Sequence, residues 1–270
     1  MLIPIQSKYP SFQIRLEIEA AYPIQLGIAV FDPSKPHTFY FRRKVNFGKR
    51  KQRTIYISLP ISSHSLHLVI LEKGRARTSK EEDHFELKDI QVTQLEKKSA
   101  WASPEQHRFM EFAIPFAQKA GYLNMGYYPS KRDEFLIDYK ARLLDTDGEE
   151  LITPARIARS KPYIQISQAQ FRQFSIPVRV AILAHEGCHY LQNTRSEKEA
   201  DLCGIRYYLE AGFPKIEAVY AITQVFRYFD VPIEKAHLQR AKDIINFINQ
   251  YSSTESLTDI EQTKEISNSI

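Results

Sequence analysis

Two histidines four residues apart, His185 and His189, enclose Glu186 in the run His185-Glu186-Gly187-Cys188-His189, and two carboxylates with the same spacing, Glu197 and Asp201, follow. Positions i and i+4 of a helix share one face, with Cβ atoms about 5–6 Å apart. Both imidazoles can therefore reach one metal ion, at the roughly 2.0–2.1 Å usual for neutral histidine on zinc. Glu186, one residue on from His185, points about 100° around the helix. It cannot easily join the histidines on the ion, but it can reach a water bound there, which is the position of a general base. The acidic pair can supply a third ligand and a partner that holds a histidine in place. The chemistry is that of a metal-activated water.

The elements that position these groups are legible around them. A helix is predicted over Pro177–Gln192, with Ser175 as N-cap and Pro177 in its first turn. Val178, Val180, Ala181, Ile182, Leu183 and Ala184 make it apolar almost all round, so it is buried, and a buried histidine pair with a glutamate is costly unless satisfied. Asn193-Thr194-Arg195 reads as a short connection, and Ser196-x-x-Glu199 is a capping box that starts a second helix over Glu197–Ala211. The second helix returns beside the first. Its opening turn lies near His189, Glu197 and Asp201 share one face, and Glu199 is occupied at the cap. This assigns Glu197 as third ligand and Asp201 as partner to a ligand histidine. Thr194-x-x-Glu197 is also a capping box, however, and a helix begun two residues earlier would give Glu197 a structural task. At this level Glu197, Asp201 and Glu199 remain alternatives.

His185-Glu186-Gly187-Cys188-His189 followed by Glu197-Lys198-Glu199-Ala200-Asp201 resembles the H-E-x-x-H plus E-x-x-A-D pattern of the gluzincin zinc metallopeptidases, and within them the HtpX-like peptidases. The resemblance implies a zincin-like domain that hydrolyses peptide bonds with Zn2+ as cofactor and a polypeptide as substrate. It implies that His185, His189 and Glu197 bind the metal, that Glu186 is the base and that Asp201 supports a histidine. The chain departs from the membrane-bound members in having no apolar run long enough for a span and only seven residues between His189 and Glu197. It thus resembles a minimal soluble version, and the resemblance does not reach the N-terminal part.

That N-terminal part reads as strands. Phe12, Ile14, Leu16 and Ile18 alternate with Gln13, Arg15, Glu17 and Glu19. Ile24–Phe31, Thr38–Phe47, Arg53–Leu59, Ser65–Glu72 and Phe85–Thr93 continue the series, and Pro, Ser, Gly and charge fill the breaks. The expected class is α+β: an antiparallel β-sandwich-like module over 1–98, then a small sheet with helices over 99–251, and a polar tail over 252–270. In the second part a helix starts at Ser103-Pro104 and runs to about Ala120. Strands are expected at Tyr122–Tyr128, Glu134–Tyr139 and Pro162–Ser167, a hairpin at Asp147-Gly148, and late helices over Lys215–Phe229 and Ile233–Tyr251. The Pro162–Ser167 strand is expected as an exposed edge to which a peptide could add through Tyr163, Gln165 and Ser167. Trp101 is expected to pack a junction between the two parts. Oxyanion donors are sought among Tyr207, Tyr208, His237 and Arg240.

Composition bounds the rest. The 270 residues carry a net charge of +5, enough apolar residues (43%) for a real core, and two cysteines, Cys188 and Cys203, read as buried thiols. Together with MLIPIQSKYP, which lacks the features of a secretory signal, they favour a reducing, cytoplasmic setting. Arg42–Arg53 (RRKVNFGKRKQR) is a basic run, read as a solvated hairpin turning at Gly48 or as a contact for an anionic partner. The alternative to an enzyme is a metal-stabilised binding or structural protein whose basic β-module contacts nucleic acid, glycan or protein.

Overall fold

The computed structural model describes residues 1–6, 8–48, 52–73, 84–95, 103–158, 161–213, 215, 218–219 and 235–251. The tail over 252–270, most of the expected helix over 215–229, Trp101, and the lysines and arginine at 49–51 lie outside these residues. The fold is mixed α+β, and the chain divides into two compact units, Met1–Lys97 and Lys98–Ile270.

The first unit is all β: β1 (Leu2–Gln6), β2 (Phe12–Ala20), β3 (Ile24–Asp32), β4 (Lys35–Phe47), β5 (Gln52–Leu59), β6 (Ser65–Glu72) and β7 (Phe85–Gln94). They form two antiparallel sheets, ordered β1-β6-β3-β4 and β5-β2-β7. Strict alternation makes this arrangement possible. Phe12, Ile14, Leu16, Ile18 and Ala20 of β2 are buried while the residues between them are not, and Leu26, Ile28 and Val30 of β3 repeat the pattern. β1 lacks that signal because only Ile5 of it is buried, and Pro4 suits its place at a sheet edge. The basic run is not a hairpin, which corrects the expectation. β4 pairs with β3 and β5 with β2, so the segment crosses from one sheet to the other. Within it Arg42 and Arg43 lie over the rings of Phe39 and Phe41, and Arg53 donates to the Asn46 carbonyl.

The second unit sets five helices, among the described residues, beside a four-stranded sheet. α1 (Pro104–Lys119) begins at the expected cap, where the Ser103 hydroxyl accepts from the Gln106 amide. β8 (Gly126–Pro129), β9 (Leu136–Lys140), β10 (Ala155–Ala158) and β11 (Tyr163–Ser167) follow, then α2 (Gln168–Phe171), α3 (Ile176–Leu191), α4 (Glu197–Glu210) and α5 (Lys235–Gln250). The Asp147-Gly148 turn is present, with Gly148 at φ 85 and the Asp145 carboxylate accepting from the amides of Asp147 and Glu149. It closes only a single bridge, Leu144 to Glu150. The sheet order is β10-β11-β9-β8, with β9 and β11 parallel and the other pairs antiparallel. β11 is therefore an interior strand, and the expectation of an exposed edge there is corrected. The edge on that side is β10, a four-residue strand too short to announce itself by alternation, and it packs against α3.

One buried cation ties the helices together. Arg179, on α3, is fully buried and donates to the carbonyls of Ala117, Phe171 and Arg172. These are carbonyls at the ends of α1 and α2, where no intrahelical donor remains and where a positive charge is favoured. Burial pulls the guanidinium down to about 10, still charged at neutral pH. Replacing Arg179 by Met, which fills the space but takes the guanidinium donors from three carbonyls, of which that of Phe171 keeps the Phe174 amide, is expected to lower the unfolding free energy by about 3 kcal/mol. A denaturant midpoint unchanged from wild type would refute this role.

Candidate metal centre

The two motif positions between Glu186 and His189 are packing positions. A Cβ on Gly187 would lie 2.3 Å from the Phe109 ring of α1, so only glycine lets that ring close on α3. Cys188 is bonded to Cys203 of α4, which corrects the reading of both as free thiols and removes the cysteine argument for a reducing interior. Residues 188 and 203 face each other because the hairpin brings α4 back along α3. Gly204 completes the approach, since a Cβ there would stand 2.8 Å from the backbone of His185.

α3 ends in a left-handed residue, Asn193 (φ 47). The Thr194 amide donates to the His189 carbonyl and the Asn193 amide to the Tyr190 carbonyl, the paired bonds of a Schellman turn. That turn aims the Thr194 carbonyl at the His189 ring. α4 starts at Glu197 with Ser196 as N-cap, its hydroxyl accepting from the Glu199 amide, while the Glu199 carboxylate accepts the Thr194 hydroxyl. Glu199 is thereby held away from the histidines and Glu197 is left to face them.

His185 donates from Nδ1 to Asp201 Oδ1 at 2.9 Å, and His189 donates from Nδ1 to the Thr194 carbonyl at 3.0 Å. Both partners can only accept, so each neutral ring carries its lone pair on Nε2. The two Nε2 atoms stand 3.2 Å apart. The Glu197 carboxylate closes the triangle, with Oε2 3.5 Å from His185 Nε2 and Oε1 3.4 Å from His189 Nε2. One donor atom from each residue can be chosen so that all lie within 4.8 Å of one another, so His185, His189 and Glu197 could hold a metal ion. A tetrahedral ion with bonds of roughly 2.05 Å has ligand–ligand edges of about 3.3 Å. The 3.2 Å edge between the imidazoles and the 3.4 Å edge from His189 to Oε1 bracket that value, while the 3.5 Å contact of His185 is to the other carboxylate oxygen. Two imidazoles with one carboxylate are a donor set that suits zinc.

Without a metal the same convergence must be relieved by protons. Burial opposes charge on His185, but its hydrogen bonds to Asp201 and Glu197 outweigh that and raise its pKa to about 10. His189 is raised too, chiefly by Glu197. Glu197 is held far below the ordinary carboxylate range by the two histidines. Burial raises Asp201, but its bonds to His185 and Arg240 overcome this and leave it lowered. Glu186 moves the other way: burial pushes it up, resisted by the two histidines and, more weakly, by the nearby Ile157 backbone of β10.

The other expected residues fall elsewhere. Tyr163 and Gln165 are bonded to Asp138 on the sheet, Gln165 also accepts from Arg156, and Ser167 is fully buried. Their backbone pairs on both sides with β9 and β10, so they cannot take up an added strand. Tyr207 and Tyr208 are buried, Tyr207 beside Gln106 and Tyr208 stacked on Phe213. The His237 side chain lies outside the described residues. Arg240 reaches the centre, but its partners are Asp201 and Glu197. Two contributors went unread in the sequence. Asn193 as a left-handed helix stop was a usable signal for the Thr194 carbonyl, whereas nothing local marks the Ile157 backbone. Comparison with protein-family models, curated proteins and solved structures finds no match for this chain.

Because His185 titrates near 10, it is charged at pH 7 in the metal-free fold, and a metal requires it neutral. Binding should release about one to two protons at pH 7, and affinity should rise as pH is raised toward 10. Calorimetry in buffers of different ionisation enthalpy measures this, and binding without proton release would contradict it. The charged histidine also stabilises the metal-free fold fully below about 6.5, and that contribution disappears as pH rises through about 10. Removing the 15-residue cross-link with Cys188→Ala and Cys203→Ala together should cost about 3 kcal/mol of stability. A thermal midpoint insensitive to that change, and to reductant in wild type, would argue against the bond.

Proposed function

We propose that the unit Lys98–Ile270 is a zinc-dependent metalloendopeptidase. The observation that carries this reading is the convergence of His185 Nε2, His189 Nε2 and the Glu197 carboxylate, with both Nδ1 atoms locked, one residue away from a half-buried glutamate of raised pKa. A zinc ion held there would polarise a peptide carbonyl and lower the pKa of a bound water toward ~7.

The chain's own groups supply the remainder. Glu186 is the base, taking the proton of the attacking water and delivering it to the departing amine. A carboxylate raised by burial is better matched to that return than an ordinary one. The polypeptide substrate is proposed to lie along β10, the edge strand beside α3, in place of the interior β11. Asp201 and the Thr194 carbonyl keep the imidazoles in the one tautomer that presents both lone pairs inward.

Glu186→Gln keeps the shape and removes the base. It should retain stoichiometric zinc while kcat/KM on an unstructured fluorogenic polypeptide falls by roughly 10²–10⁴. Unchanged cleavage would eliminate Glu186 as the base. Wild type that holds zinc yet cleaves nothing would favour the other reading, a metal-stabilised binding protein.

A further inference from the structure

α5 belongs to the candidate centre through one side chain. Arg240 donates from Nε to Asp201 Oδ2 at 2.7 Å and from Nη2 to Oδ1 at 3.0 Å, a paired fork on one carboxylate. The same Nη2 lies 3.1 Å from Glu197 Oε2. One guanidinium thus spans two acidic residues that share a helix face and would otherwise repel each other. Its contacts are selective. Glu197 Oε2 faces both Arg240 and His185, whereas Oε1 faces His189.

We propose that Arg240 is a positioning residue that makes Glu197 a one-oxygen ligand: by holding Oε2 it leaves Oε1 for the metal, and by holding Asp201 it keeps His185 in its binding tautomer. The inference rests on the metal-centre reading above and adds to it what decides the coordination number. A carboxylate free to turn can offer both oxygens to one ion, which fills a position that a catalytic centre must leave for water. A carboxylate with one oxygen bonded to a fixed guanidinium cannot. A lysine is a single point charge on a flexible stem and does not reproduce a fork shared by two carboxylates. α5 does not depend on Arg240 alone for its place. Lys198 of α4 pairs with Asp243 at 2.9 Å, and Ile244 and Ile248 are buried.

The test is the visible spectrum of the full chain loaded with cobalt(II), whose d–d bands are intense in a four-coordinate site and several-fold weaker when a fifth ligand atom binds. Wild type is expected to take up one cobalt with intense bands. Arg240→Met is expected to bind cobalt with bands several-fold weaker, and Arg240→Lys to fall between the two. If Arg240→Met does not keep the wild-type near-ultraviolet dichroism, Arg240→Gln is read in its place with the same expectation. A folded Met or Gln variant with the wild-type spectrum overturns the role of Arg240 and leaves the metal centre standing. Wild type that takes up no cobalt and no zinc removes the centre itself, and the proposal with it.

Discussion

Two imidazole lone pairs held 3.2 Å apart require a cation between them. The donors on the far side of each ring, to Asp201 and to the Thr194 carbonyl, force that arrangement, because they fix the proton on Nδ1 and leave Nε2 bare. Much of the second unit serves to bring those four groups together. A Schellman turn places the carbonyl, the Ser196 cap starts α4 at Glu197, and Gly204 lets α4 lie against the backbone of His185. In the metal-free fold a proton does what a metal would do, which is why the His185 pKa is raised to about 10 despite burial.

Such a site is stable only in a rigid frame, since low dielectric strengthens the ion pairs and also penalises any that come apart. The frame is built around α3. Arg179 binds it to the ends of α1 and α2, Phe109 closes on Gly187, and the Cys188–Cys203 bond joins it to α4 within the motif. The candidate base, Glu186, lies within this frame close to Ile157 of the edge strand β10.

Local patterns made much of this legible. The i, i+4 histidines, the apolar character of α3 and the Ser196 cap each act over a few residues, and the helical hairpin follows from them. The β2 alternation likewise foretold a half-buried strand. What required the tertiary fold was not legible. β11 has the pattern of a strand, but whether it is an edge depends on β10, four residues with no alternation to detect. The pairing of Cys188 with Cys203 depends on the rotation of α4 against α3, and two cysteines alone read equally well as thiols. Arg240 reads in the sequence as a possible donor to substrate, yet its bonds to Asp201, 39 residues away, and to Glu197 on the same helix span a distance no sequence window covers.

The central claim is that His185, His189 and Glu197 form one metal centre. Anomalous diffraction from zinc-loaded crystals, recorded on both sides of the zinc absorption edge, tests it most directly. The account requires a single strong peak about 2.0–2.1 Å from Nε2 of both histidines and from one Glu197 oxygen. No peak at that point, or a zinc held through Nδ1 or by other residues, would contradict it.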